Sequence, residues 1–257
     1  MIGTYINAIL VVISVLIGLL LKSRFPAKLQ LLSRNLLAGF SFFIGIKLLI
    51  KSFDPGVVAG IKLLLLAFLS IILGNLIGKF LKLQSISNRL GNYSGKQLGI
   101  TPQRPTTETN SKTVDKKENS HNVSPSKIIT GISLLLCLNP IGIIGAAYEG
   151  LRGSPYILII KGIMDFFFSY SFARNLKLKI FIAILPMVIW QGVVTIAFKS
   201  ITNSNFFTGE LILYSYDALV GLFCFLFVLP ILEIRKVEFA DYLPSFFLIP
   251  LFAKLFL

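Results

Sequence analysis

Long uninterrupted apolar blocks constrain this chain more than any other feature. They run over residues 5–21, 36–50, 57–80, 128–148, 155–172, 180–198, 211–232 and 242–257, with polar or basic stretches between them. Backbone polar groups placed in hydrocarbon must be satisfied within their own segment, so about 17 to 25 consecutive apolar residues read as a membrane-crossing helix. The expected fold is therefore all-α, a polytopic transmembrane bundle of about eight spans. Residues 36–50 and the proline-containing last block are short and could be re-entrant or embedded in protein, which makes seven spans the alternative. No alternation of apolar and polar residues points to a β-barrel. Composition agrees, since 55% hydrophobic and 14% charged residues with a mean hydropathy of +0.82 leave too little polar surface for a soluble domain.

A formal charge of +14 on 257 residues raises the question of nucleic acid, and the placement of the charges answers it. Lys22, Arg24, Lys28 and Arg34 follow the first block, Lys79, Lys82 and Arg89 the third, Arg174, Lys177 and Lys179 the fifth, and Arg235 and Lys236 the seventh. Every second loop is basic, whereas the alternate loops carry Lys51 against Asp54, Arg152 beside Glu149, and Lys199. By the positive-inside rule the basic loops are cytoplasmic and both termini extracytoplasmic. The expected partners are accordingly the lipid bilayer, anionic lipid at the basic loops and a small ion or solute, with no nucleic acid; an oligomer is possible. The first block lacks a basic segment before it and has one after it, which reads as a retained span and not a cleaved signal peptide.

Residues 84–126 are rich in Ser, Thr, Asn, Gln and Lys and too poor in apolar side chains to offset the entropy of ordering them, so a disordered cytoplasmic linker is expected. That linker divides the chain into an N-terminal transmembrane subdomain of three spans, residues 1–83, and a C-terminal one of about five, residues 127–257.

Two features inside the apolar blocks point to chemistry. Lys161 and Asp165 lie four residues apart in the middle of residues 155–172, and Ser169 continues the same helical face one turn later. A charge at the centre of a membrane helix costs roughly 2.5 to 3.5 kcal/mol on insertion scales, so the two must be partnered and turned into protein or a wet cavity. In the fourth block, Asn139-Pro140 followed by Gly142 and Gly145 predicts a kinked or broken helix, because Pro140 removes a backbone donor and clashes with the preceding turn. Gln191, beside Trp190, adds a polar group within the sixth block. Short connections make these three blocks neighbours, so Lys161, Asp165, Ser169, Asn139 and Gln191 form the candidate binding site for an ion or solute. The alternative is structural: a self-neutralising ion pair, a proline kink and an interhelical hydrogen bond from Gln191.

Other residues carry less. Cys137 and Cys224 lie in apolar blocks without CxxC spacing, and His121 lies in the linker, so neither a disulfide framework nor a metal site is expected and no cofactor is implied. Lys47, Lys62 and Lys254 fit snorkelling positions, and Asp217 fits an interfacial one at the outer end of the seventh block. The chain has no HExxH, no GxSxG, no P-loop and no second intramembrane aspartate for a dyad with Asp165, which argues against an enzyme.

The run Cys137, Asn139-Pro140, Ile143, Gly145, then Glu149-Gly150-Leu151 and Gly153, then Leu158, Lys161, Asp165, Ser169 and Phe172-Ala173, then Pro186 and Gln191-Gly192, resembles the DUF554 family of bacterial membrane proteins. Gly3-Thr4, Asn7 and Tyr242-Leu243-Pro244 extend the likeness to both ends. The family pattern here is approximately Cys-x-Gly-Pro, Asp-Gly-Leu-x-Gly-Asp, Lys-Ser-x-x-Asp-Gly and Tyr-Gln-Gly. The chain departs from it at Asn139, Glu149, Ser154, Gly162 and Phe166, and its long linker looks like an insertion. The resemblance implies a multi-pass protein of the bacterial inner membrane and supplies no activity. Intramembrane charge itself favours a transporter or channel over a structural or assembly role in which the Lys161/Asp165 pair only fixes helix packing.

Overall fold

The computed structural model describes residues 1–20, 27–97, 139–176, 180–202 and 209–256. Over these residues the chain is helical: α1 (Ile2–Leu20), α2 (Ala27–Lys51), α3 (Val57–Phe80), α4 (Leu83–Gln97), α5 (Pro140–Arg152), α6 (Tyr156–Leu176), α7 (Ile180–Thr202), α8 (Glu210–Ile231), a 3-10 turn (Phe239–Tyr242) and α9 (Ser245–Phe256). Among the described residues, five segments are long and apolar enough to cross a membrane: Ile2–Leu20, Leu31–Lys51, Val57–Phe80, Glu210–Ile231 and Phe239–Phe256. A shorter apolar stretch, Ile184–Ser200, lies within α7. α5 has 13 residues, and α6 carries Lys161 and Asp165 within its 21.

Helices that lie far apart in sequence pair closely. α1 runs parallel to α6: a Cβ on Gly3 would meet Leu158 and Pro155, and one on Gly18 would meet Ala173 at 2.7 Å. Missing side chains let the backbones approach, and in lipid this packing contact replaces the hydrophobic drive available in water. α2 runs antiparallel to α8, where Ser41 Oγ donates to the Cys224 carbonyl at 2.9 Å and Arg34 pairs with Glu233 at one end. α3 lies antiparallel to α9, with Ser70 Oγ donating to the Ser245 carbonyl at 2.8 Å. α8 is the central helix, 67% of its spanning window being buried against 28% for α3. Its Phe223 stacks on Phe246 of α9 at 5.8 Å between ring centroids, and Phe227 meets Phe239 at 4.9 Å. The linker thus separates the chain in sequence, while α1, α2 and α3 pack on the helices that follow it.

The expectation of disorder across residues 84–126 does not hold at its start, because Leu83–Gln97 is helical. Asp241 Oδ1 accepts from the Gln84 backbone N–H at 2.8 Å, capping a free donor of the first turn, and Gln84 Oε1 accepts from Ala240 N at 3.2 Å. Residues 98–126 lie outside the described residues. So do residues 128–138, the first half of the fourth apolar block, and with them Cys137.

Candidate functional site

The Lys161/Asp165 pair sits on α6 where α1, α5 and α7 converge. Lys161 Nζ donates to Asp165 Oδ2, and the two residues are 0% and 5% exposed. Enclosure follows from the small residues around them. A Cβ on Gly142 of α5 would stand 2.6 Å from Lys161 Cε and 3.4 Å from Gln191 Nε2, so this glycine brings the α5 backbone against both. Gly162, between the paired residues, does the same for α1, since its Cβ would lie 3.2 Å from Asn7 Cα and 3.3 Å from Asn7 Oδ1. Asn7 Nδ2 donates to Gln191 Oε1 at 3.2 Å and lies against Met187 Sδ at 3.8 Å, and its side chain also faces the Asp165 carboxylate.

Of the residues singled out from sequence, Lys161 and Asp165 bond each other, and Gln191 joins them indirectly, across Gly142 and through Asn7. Ser169 is fully buried one turn beyond Asp165. Asn139 is the N-cap of α5: its Oδ1 accepts from Ile141 N at 3.1 Å, and Pro140 occupies the first turn, where a missing N–H costs nothing. What this end of α5 sets beside the pair is therefore Gly142. Among the described residues, Asn7 Oδ1, Ser169 Oγ, Gln191 Nε2 and Thr195 Oγ1 are buried polar atoms without a hydrogen-bond partner.

A second buried charged cluster ties α5 to α8 and α2. Asp217 lies towards the start of α8 and is 0% exposed, enclosed by protein there. Tyr148 OH donates to its Oδ1 at 2.6 Å, Arg152 Nε lies 3.0 and 2.9 Å from its two oxygens, Arg152 Nη2 donates to Oδ2, and Lys51 Nζ stands 3.7 Å away. Two cations and a phenol make the buried carboxylate tolerable. Lys47, expected to snorkel, donates to Tyr156 OH at 2.8 Å and lies 4.6 Å from the centre of that ring.

Glu149 is likewise 3% exposed and accepts from Gly3 N at 2.6 Å and Thr4 Oγ at 3.4 Å, so it caps the first turn of α1 from the end of α5. Among the described residues no three His, Cys, Asp or Glu side chains converge as metal ligands would.

Residues 2–254 match the family described as protein of unknown function (DUF554). The chain belongs to the DUF554 family. It is also similar to the uncharacterized protein YqgA of Escherichia coli (strain K12), 29% identical over 190 residues, which cover 74% of this chain and 71% of the relative. No solved structure matches. The DUF554 stretch Glu149-Gly150-Leu151-Arg152-Gly153 has a physical reading in this fold. Gly150 lets α5 touch the Thr195 carbonyl and Phe198 of α7, and Leu151 is buried. Gly153, at φ 69°, ends α5 in the left-handed region while its N–H returns to the Glu149 carbonyl at 2.8 Å.

Proposed function

We propose that this DUF554 protein moves a small ion or solute across the bacterial cytoplasmic membrane, through an intramembrane polar site built from Lys161, Asp165, Ser169 and Gln191 together with Asn7, below the Asn139-capped start of α5. It would do so as a multi-pass protein without catalytic chemistry. One observation carries the reading: the enclosed charge pair lies in a helix junction that holds four buried polar atoms without a partner among the described residues, on Asn7 and Gln191 near the pair, on Ser169 one turn beyond Asp165, and on Thr195 one turn beyond Gln191, where α7 meets Gly150. Leaving such a group dry costs about 1–3 kcal/mol, so four of them make poor scaffolding and a good lining for water or a solute. A purely structural pair would be better served by satisfied or apolar neighbours. Directions of the helices support a bundle of about eight crossings: α1 and α6 run one way, α2 opposes α8, and the start of α1, the ends of α2 and α5 and the Asp217 region of α8 gather at one end through Glu149 and Asp217. By the basic-loop rule that end is extracytoplasmic.

The test is flux. Purified protein in proteoliposomes, assayed with ion-sensitive dyes for protons, sodium, potassium and chloride, should move one of these ions, or a solute coupled to it. The Lys161→Met/Asp165→Asn double variant should be folded and inactive. A folded double variant with full flux would reject these residues as the site.

A further inference from the structure

At the basic end of the molecule, where α3 turns into α4, an open groove of about 400 Å³ is lined by Lys79, Lys82 and Arg89 on one side and by Glu238 and Asp241 on the other. Its walls are tied together, because Gln84 is held by the Asp241 carboxylate and the Ala240 N–H. Among the described residues none of the three cations forms an ion pair with either carboxylate. Opposite charges therefore face one space without neutralising each other. Apolar side chains stand out beside it: Phe80 is 86% exposed, Leu81 53%, Ile86 51% and Tyr93 52%. Such exposure beside a charged groove suits the boundary between acyl chains and headgroups.

We infer that this groove binds the headgroup of a zwitterionic aminophospholipid, a phosphoethanolamine group on a diacyl lipid. The phosphate fits among Lys79, Lys82 and Arg89, with Ser85 and Asn88 as neutral donors on the same wall. The primary ammonium fits Glu238, since Asp241 already spends Oδ1 on the Gln84 N–H. A purely anionic headgroup would satisfy the cations and be repelled by Glu238. A choline headgroup has no N–H to donate to it. Phe80, Leu81 and Ile86 then lie where the acyl chains leave the headgroup. Basic loops alone predict anionic lipid; the two carboxylates are what shift the preference.

Native mass spectrometry of the full chain in detergent, offered equal amounts of phosphatidylethanolamine, phosphatidylglycerol and phosphatidylcholine, tests this. Phosphatidylethanolamine should be retained over the other two, by about threefold or more, the worth of one well-placed partly exposed charge contact. Glu238→Gln should bring the ethanolamine-to-glycerol ratio down to about one or below, and Lys79→Gln/Arg89→Gln should weaken retention of both. These side chains are exposed, and unchanged helical content by circular dichroism verifies folding. Equal or better retention of phosphatidylglycerol by the unaltered chain, or a ratio unmoved by Glu238→Gln, would overturn the assignment. So would thermal stabilisation by soluble glycerophosphoethanolamine as large as that by the lipid, which would make the ligand a soluble phosphoester.

Discussion

Replacing Asp165 by Asn while keeping Lys161 leaves an ammonium with no exposed surface and without its carboxylate partner, packed against the α5 backbone at Gly142 with Gln191 close by. Breaking a buried pair by removing one partner costs about 3–5 kcal/mol, most of it the desolvation of the charge left behind. Lys161→Met strands the Asp165 carboxylate in the same way, with Asn7 as its remaining neighbour, and should cost a similar amount. The double variant buries no charge and should fall within about 1 kcal/mol of the unaltered protein, so the cycle should show a coupling of about 3 kcal/mol or more. For a chain of this size that corresponds to a drop of roughly 10 °C in Tm for each single variant and recovery in the double. Thermal unfolding in one detergent or nanodisc preparation, followed by light scattering or intrinsic fluorescence, reads this directly. Single variants as stable as the double would refute the reasoning that the buried pair is mutually dependent.

Two further outcomes follow from the packing. Gly78→Ala should destabilise by about 2 kcal/mol or more, since its Cβ would enter the backbone of Asp241, whereas Gly39→Ala, with nothing within 4 Å, should be neutral or slightly stabilising; paired thermal scans check both. Asp217→Asn should cost about 2–3 kcal/mol, below the fully buried figure because Arg152 and Lys51 reach solvent in part, while Tyr148→Phe should cost only about 1 kcal/mol; a reversed order would show that the phenol and not the guanidinium holds α8 to α5.

The site's charged centre was legible because a Lys and an Asp four residues apart in an apolar block can only pair with each other or with something buried. Its surroundings were less legible. Asn7 belongs to a stripe of small and polar residues on α1, Gly3, Thr4, Asn7, Ser14 and Gly18, all buried and at helical spacing, so the signal existed; what it faced did not, because α6 begins more than a hundred residues later. Arg152 and Glu149 look like mutual counter-charges on one loop. In the fold they face different helices, Glu149 capping α1 and Arg152 holding Asp217 of α8. Local spacing reports which side chains share a helix face, but which helix covers that face is a tertiary fact. The same holds for α4, whose ordered start depends on Gln84 meeting Asp241 at a sequence separation of 157. Apolar length located α3 at its observed bounds, Val57–Phe80, yet could not give the start of α5, which is set locally by the Asn139 cap and Pro140.

Access from water to the Lys161/Asp165 face is the most direct measure of the central claim. Ser169 lies one turn beyond Asp165 with a buried, unpartnered hydroxyl, so Ser169→Cys, in a chain carrying Cys137→Ala and Cys224→Ala, places a single thiol there. A hydrophilic, membrane-impermeant thiol reagent should modify this cysteine in membranes, and the ion or solute found in the flux assay should slow the reaction. A thiol that stays unmodified in the membrane and reacts only after denaturation would mean that the pair is sealed between helices, and the transport reading would fall.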